Sequence, residues 1–107
     1  MRTFTINGTE YNAKPFDFNL MCSLEDLAIG LGDLITKPHL AIRAYLAICG
    51  NMTEEKAGIE LEKHLIAGND MSEISTILSE EMDKSDFFQA MLKKMQENMA
   101  KLKNEKK

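Results

Sequence analysis

Residues 3–13 read TFTINGTEYNA, and this stretch decides how the chain begins to fold. Polar and apolar side chains alternate on both sides of Asn7-Gly8, which is the pattern of two strands that each bury one face. Asn and Gly tolerate the positive φ angles of a type I′ turn, so this pair predicts a tight hairpin. Because a lone hairpin is marginally stable in water, we expect its apolar side to rest on helices. The apolar side chains of the hairpin are Phe4, Ile6 and Tyr11.

The segment after the hairpin predicts a short helix. Phe16 and Phe18 are two rings that we expect to be buried. Either Asp17 or Asn19 is suited to cap a helix that runs to about Ile29. Two glycines come after it and close the helix, and a loop is expected before the next one.

Residues 40–49 are apolar nearly all round and are interrupted only by Arg43. A helix without a polar face is a buried one, so this stretch predicts the central helix of the domain. Pro38 fits its first turn, where the missing N–H costs nothing. Gly50-Asn51 is a typical C-terminal stop.

Two amphipathic helices are predicted next. Thr53 is suited to cap the first of them, and either Asp70 or Ser72 to cap the second. The inward stripe of the first is expected to consist of Ala57, Leu61 and Leu65, flanked by Ile66. The stripe of the second is expected to consist of Met71, Ile74, Ile77, Leu78 and Met82.

The last predicted helix begins after a Ser85 cap and carries an apolar seam at intervals of 4, 3, 4 and 3 residues from Phe88 to Leu102, which is heptad spacing. One interpretation is that the seam packs on the chain's own helices. The other is that its distal half, from Met95 onward, reaches past the core and meets another protein, since methionine adapts to varied partners. The candidate protein-binding residues are Phe87, Phe88, Met91, Leu92, Met95, Met99 and Leu102.

These elements predict a mostly α (α+β) fold, in which an N-terminal β-hairpin is followed by about five helices around one small core. A chain of 107 residues leaves no room for a second core, so we expect one domain over residues 1–107. Within it, the hairpin is expected at 3–13, the helical body at 17–84, and the Met-rich C-terminal helix at 85–103 with a frayed basic tail.

Charge is unevenly distributed along the chain, whose net charge is −4. Residues 54–86 carry ten acidic side chains and three lysines, a net −7, whereas residues 87–107 carry six lysines and two glutamates, a net +4. An acidic chain lacks the positive field that phosphate binding needs, so nucleic acid is not an expected partner. Adjacent acids such as Glu80 and Glu81 point about 100° apart, so we expect solvated faces and no acid–base pair.

The chain shows no pattern of a metal, cofactor or enzyme site. Cys22, Cys49, His39 and His64 are scattered, without the paired short spacings that make zinc motifs specific. We expect both cysteines to be reduced, in apolar company, and both histidines to lie at the surface. Neither a signal-peptide pattern nor an apolar run long enough for a membrane span is present, so a cytoplasmic location is expected.

The N-terminal third also carries a resemblance to a known family. FTINGTEY at 4–11, FDFN at 16–19 and a helix ending in Ile29-Gly30 resemble the tail assembly chaperones of long-tailed bacteriophages and related prophages of Gram-positive hosts. In those proteins a hairpin opens a small helical domain of about this length.

The resemblance implies a function in the cytoplasm of a bacterial host. Such chaperones bind the long tape measure protein and keep it soluble while tail tube subunits polymerise around it, and they often self-associate. The expected partners are therefore the tape measure protein, the tail tube protein and further copies of the chain. The alternative is a small helical regulatory protein that binds a transcription or host factor.

Overall fold

The structure is a computed structural model that describes the backbone of residues 2–105 and the side chains of residues 2–98. It confirms the predicted fold class, a hairpin followed by helices around one core. Six helices are described instead of about five, because α2 lies where a loop was expected. The elements are β1 (Thr3–Ile6), β2 (Thr9–Asn12), α1 (Phe18–Asp26), α2 (Asp33–Thr36), α3 (Pro38–Gly50), α4 (Glu54–Ile66), α5 (Ser72–Asp83) and α6 (Asp86–Glu105).

The hairpin forms as predicted. β1 and β2 pair antiparallel, and Phe4 lies opposite Tyr11. Asn7 and Gly8 have φ angles of 51° and 80°, the left-handed conformation that a type I′ turn requires. Phe4 and Ile6 are buried, while Tyr11 is half-buried and stacks on the Phe4 ring. The hairpin therefore uses its apolar face to cover the helical core.

The predicted central helix is confirmed as α3. Pro38 occupies its first turn, and Asn51 ends it with a left-handed φ of 51°. The Tyr45 ring is fully buried and stacks near the Phe4 ring, so α3 and the hairpin share one core. The buried residues of α3 are Ala41, Ile42, Ala44, Tyr45, Leu46 and Ala47.

The expected end of the first helix, at about Ile29, is wrong. Asp17 does cap α1, since its carboxylate accepts a hydrogen bond from the Leu20 N–H at 2.8 Å. The helix nevertheless ends at Asp26, because Ala28 adopts a left-handed φ of 64° and the Ile29 N–H bonds back to the carbonyl of Leu24 at 2.9 Å. This closing bond turns the Ile29 side chain into the core, where burial offsets the conformational cost at Ala28.

The inward face of α4 also differs from the prediction. Thr53 caps the helix, and Ala57 and Leu61 are buried as expected. Leu65 and Ile66 are exposed, however, and the buried residue of the last turn is His64, which was expected at the surface. The helix is rotated toward His64 because that ring hydrogen-bonds the hairpin and the following loop.

Two details of α5 depart from expectation. Met71 occupies the N-cap position of α5. The residue before it, Asp70, accepts hydrogen bonds from the N–H and the hydroxyl of Ser72. Glu81 is buried instead of solvated, and its carboxylate is paired with the Lys84 ammonium at 2.7 Å. The predicted apolar stripe is otherwise inward, with Ile74, Ile77 and Leu78 buried and Met71 and Met82 half-buried.

The last helix begins where Ser85 predicts it. The Ser85 hydroxyl accepts from the Phe88 N–H at 3.0 Å and donates to the Phe16 carbonyl, so the cap also fixes the entry of the chain. The 20 residues of α6 span about 30 Å. The molecule measures 55 × 26 × 23 Å, and its radius of gyration of 15.6 Å exceeds the roughly 13 Å of a compact chain of this length. A long helix attached at one end accounts for this elongation.

Candidate functional site

The predicted binding residues occupy three different environments along α6. Phe88 is 5% exposed and meets the Phe16 ring edge-on, with centroids 4.8 Å apart. Phe87, Met91 and Leu92 are half-buried against the core. The Met95 side chain is 42% exposed, while the side chains of the two remaining predicted residues, Met99 and Leu102, lie outside the described residues.

The seam therefore changes character along its length. Up to Leu92 it packs on the chain's own core, whereas every side chain from Lys93 to Asn98 is exposed. The interpretation that the seam packs on the chain's own helices fits its first half, whereas contact of the distal half with another protein stays a prediction. Phe88 belongs to the fold, because a ring enclosed in the core cannot also anchor a partner without unfolding α6. The candidate surface consequently begins beside Phe88 and extends outward.

One residue of this surface was missed by sequence reasoning. Phe18 was expected to be buried with Phe16, but it is 65% exposed and meets the Phe87 ring edge-on at 5.6 Å. The sequence signal for the exposure of Phe18 is the capping residue Asp17, because it sets where α1 begins. Once Asp17 fixes the start of α1, Phe18 lies about 200° around the helix from the buried Leu20.

These side chains form a continuous apolar strip that leads out of the core, and we call it the α6 stripe. Two aromatic rings lie at its base and a flexible thioether at its outer end, a combination that suits a surface that adapts to apolar helices. Its described members are Phe18, Phe87, Met91, Leu92 and Met95.

A second apolar surface lies between α3 and α4. It is an open groove of about 270 Å³, to which Leu40, Leu61, Leu65 and Met71 contribute apolar walls and Arg43 part of the rim. We call it the α3–α4 groove. Sequence periodicity could not reveal it, because three separate segments form its walls.

The outward side of α4 continues this groove. Glu55, Ile59, Glu62 and Ile66 succeed one another at intervals of four, three and four residues, so they share one face of the helix. All four are exposed, and Ile66 reaches 78%. The available signal was the spacing of Ile59 and Ile66, which lie seven residues apart on the same helix face as Glu55 and Glu62.

The thiols are not arranged for chemistry. Cys49 is half-buried, and burial raises the pKa of its thiol above the ordinary value, as the apolar sequence around it predicts. Cys22 was expected in apolar company but is exposed on α1. Among the described residues, neither thiol hydrogen-bonds a histidine that could act as its base, and the His64 ring is already engaged elsewhere.

The ring of His64 is engaged in holding the fold. Its Nδ1 accepts from the Asn7 N–H at 2.9 Å, and its Nε2 faces the Asp70 carbonyl at 3.0 Å, which together require the neutral ring with the proton on Nε2. The side-chain amide of Asn7 also donates a hydrogen bond to the Glu60 carboxylate at 3.1 Å. Within residues 2–98, no three His, Cys, Asp or Glu side chains cluster in a way that could hold a metal ion.

Comparison of the chain with known protein families, with curated proteins and with solved structures finds no match. In the part of the chain that the structure describes, no helix combines the length and the apolar character needed to cross a bilayer.

Proposed function

We propose that the chain is a tail assembly chaperone of a long-tailed bacteriophage or prophage, acting in the cytoplasm of the bacterial host. It binds the tape measure protein through the α6 stripe and hands it over to tail tube subunits as the tube grows. The function is one of binding, without catalysis.

The observation that carries this proposal is the exposure of the α6 side chains from Lys93 to Asn98. The heptad spacing of the α6 sequence continues past the point where the described side chains become exposed, and this spacing suits packing against another helix. Met95 is the described residue of that face, and Phe18 widens its base. Exposed apolar strips of this kind mark interaction sites on soluble proteins.

The chemistry of the client fits this surface. A tape measure protein is a long helical chain whose apolar side is exposed until the tube encloses it. A chaperone for it needs an apolar strip to cover that side and an acidic body to remain soluble, and this chain combines the α6 stripe with a net charge of −4. The strip is narrow, so each contact is weak and tube subunits can displace it.

Co-expression tests the proposal. The chain should raise the soluble yield of the tape measure protein encoded beside it, and Met95→Glu combined with Met99→Glu should abolish that rescue. Gln96→Glu is the matched control, because it adds a negative charge at an exposed position about 100° around α6 from Met95. The control should rescue like the wild type.

The fold of the double variant should be intact, with a thermal melt close to that of the wild type, because Met95 lies outside the core. An unchanged tape measure yield with the wild-type chain would contradict the proposal. The gene neighbourhood separates it from the alternative of a small regulator, since a chaperone gene should lie between the tube gene and a very long tape measure gene.

A further inference from the structure

The hairpin turn at Asn7-Gly8 is a chemically reactive pair. Deamidation begins when the backbone nitrogen of the following residue attacks the side-chain carbonyl carbon of an asparagine, and a side chain on that following residue crowds the approach. Glycine carries no side chain, and its backbone rotates most freely. Among the asparagines of the chain, Asn7 is the one that precedes a glycine.

The turn leaves the attacking nitrogen accessible. Gly8 is exposed, and a Cβ built on it would meet no atom beyond its chain neighbours within 4 Å. Among the described residues, the Gly8 N–H donates no hydrogen bond, whereas the Asn7 N–H donates to His64. The surroundings of the turn therefore do not shield the Gly8 nitrogen from the side chain of Asn7.

Two residues one turn apart on α4 hold Asn7 at both of its polar ends. His64 Nδ1 accepts from the backbone N–H at 2.9 Å, and the Glu60 carboxylate accepts from the side-chain amide nitrogen at 3.1 Å. That amide nitrogen is the leaving group in deamidation. The side chain has to rotate away from Glu60 before its carbonyl carbon can meet Gly8, so this hydrogen bond retards the reaction.

Deamidation at this pair consumes water and releases ammonia. The Gly8 backbone nitrogen bonds to the side-chain carbonyl carbon of Asn7, the bond from that carbon to the amide nitrogen breaks, and the proton displaced from Gly8 leaves with the ammonia. The product is a succinimide ring that joins the two residues. Water then opens the ring on either side, which yields aspartate or isoaspartate at position 7 without oxidation or reduction.

The product places a new carboxylate against Glu60. With aspartate at position 7, an oxygen replaces the nitrogen that lies 3.1 Å from the Glu60 carboxylate, so a donor and an acceptor become two acceptors of like charge. With isoaspartate, the main chain gains a carbon within a turn that is only two residues long. Both products weaken the contact between the hairpin turn and α4.

From these contacts we propose that Asn7 is a deamidation site that Glu60 protects, and that its conversion releases the hairpin turn from α4. Phe4 and Ile6 are buried where the hairpin covers the core, so a released hairpin uncovers apolar surface. The modification therefore ages the folded chain. The proposal goes beyond the proposed function and does not rest on it, since it concerns the chemistry of this turn alone.

Prolonged incubation of the full-length protein in mildly alkaline buffer, followed by digestion and peptide mass spectrometry, tests the modification. Asn7 should gain the mass difference between a hydroxyl and an amino group. Asn51 is the internal control, because it is exposed and has the same left-handed φ of 51° but precedes Met52. Asn7 should be converted several-fold faster than Asn51, and equal conversion of the two would overturn the proposal.

The protection by Glu60 is tested on the same peptide. Glu60→Ala removes the acceptor of the side-chain amide and should raise the rate at Asn7 several-fold, whereas Glu60→Gln keeps an acceptor oxygen and should stay near the wild-type rate. Glu62→Ala is the matched control, because it removes the same charge from an exposed position of α4 that does not bond Asn7. Equal rates in Glu60→Ala and Glu62→Ala would overturn the protecting role.

The release of the turn is tested with a mimic of the product. Asn7→Asp should lower the melting temperature by several degrees, as circular dichroism would measure. Glu60→Gln in the same chain supplies an amide donor for the new carboxylate and should restore most of the loss. A melt of Asn7→Asp equal to that of the wild type, or no restoration in the double variant, would overturn the release of the hairpin turn.

Discussion

The hairpin and α6 both lie at the edge of the core, but they are attached to it in different ways. The hairpin turn is held by the His64 ring, which accepts from the Asn7 N–H, and the end of β2 is held by the Tyr45 hydroxyl, which accepts from the Lys14 N–H and donates to its carbonyl at 2.9 and 2.8 Å. Buried polar groups from two helices thus fix a two-stranded element that is marginal alone.

The α6 helix is attached at its first turns, and its described side chains beyond Leu92 are exposed. Ser85 caps it, Phe88 inserts into the core, and from Lys93 to Asn98 its side chains are exposed. The difference between the two regions teaches how this small chain divides its apolar residues. The polar and apolar contacts around α3 establish the fold, while the described part of distal α6 contributes little to it and is the surface that the proposed function uses.

The largest effect is expected where α6 joins the body. Phe88→Ala removes a ring that is enclosed by the core and packed edge-on against Phe16, so it should lower the free energy of unfolding by about 3–5 kcal/mol. Urea denaturation measures this change. A loss below about 1 kcal/mol would show that the first turns of α6 are not part of the core.

The attachment of the hairpin is the next test. Tyr45→Phe leaves the Lys14 N–H and carbonyl without the hydroxyl that bridges them, and it should cost about 1–3 kcal/mol. Tyr11→Phe is the matched control, because the hydroxyl of Tyr11 makes no hydrogen bond among the described residues. Equal losses in the two variants would argue against a special role for Tyr45.

The reactivities of the two cysteines allow the surface to be compared with the border of the core. Cys22 is exposed and Cys49 is half-buried, so iodoacetamide should alkylate Cys22 faster by about tenfold, as peptide mass spectrometry would measure. Burial raises the folded-state pKa of Cys49 above its ordinary 9.0. The contribution of the Cys49 thiol to the free energy of unfolding is therefore fully present below pH 9. It is lost as the pH rises through the folded-state pKa. Faster reaction at Cys49 would contradict this arrangement.

The smallest effect is expected on distal α6. Met95→Ala removes a side chain that contacts solvent over much of its surface, and the free energy of unfolding should change by no more than about 0.5 kcal/mol. The contrast with Phe88→Ala, seven residues earlier on the same seam, defines the point at which the helix leaves the core. A loss of about 2 kcal/mol or more, on the scale of a core truncation, would place Met95 in the fold.

Local signals made much of the fold predictable. The Asn7-Gly8 turn, the Pro38 start and the caps at Thr53 and Ser85 each act within a few residues, so the sequence alone locates them. These features yield the element order and the central position of α3 without knowledge of any long-range contact.

What the sequence could not predict depends on contacts between distant segments. The orientation of α4 depends on a hydrogen bond between His64 and Asn7, 57 residues apart, and so Leu65 and Ile66 face outward. Periodicity alone favoured Leu65 over the histidine as the inward residue of the last turn. The left-handed Ala28 was missed for a similar reason, because burial of Ile29 decides it.

The candidate site divides in the same manner. The seam of α6 was visible as heptad spacing, and the structure locates its emergence from the core near Met95. Phe18 and the α3–α4 groove were not visible, since both arise where separate elements meet. Spacing along one helix can be read from one segment, whereas the groove forms only when three segments that are separate in the sequence pack together.

Hydrogen exchange of the full-length chain, alone at low concentration and bound to the tape measure protein, tests the binding role of distal α6 most directly. Alone, the amides of residues 93–105 should exchange far faster than those of α3, because no described side chain from 93 to 98 is covered. In the complex they should become strongly protected while α3 changes little. Distal α6 as protected as α3 in the free chain, or unchanged in the complex, would contradict that role.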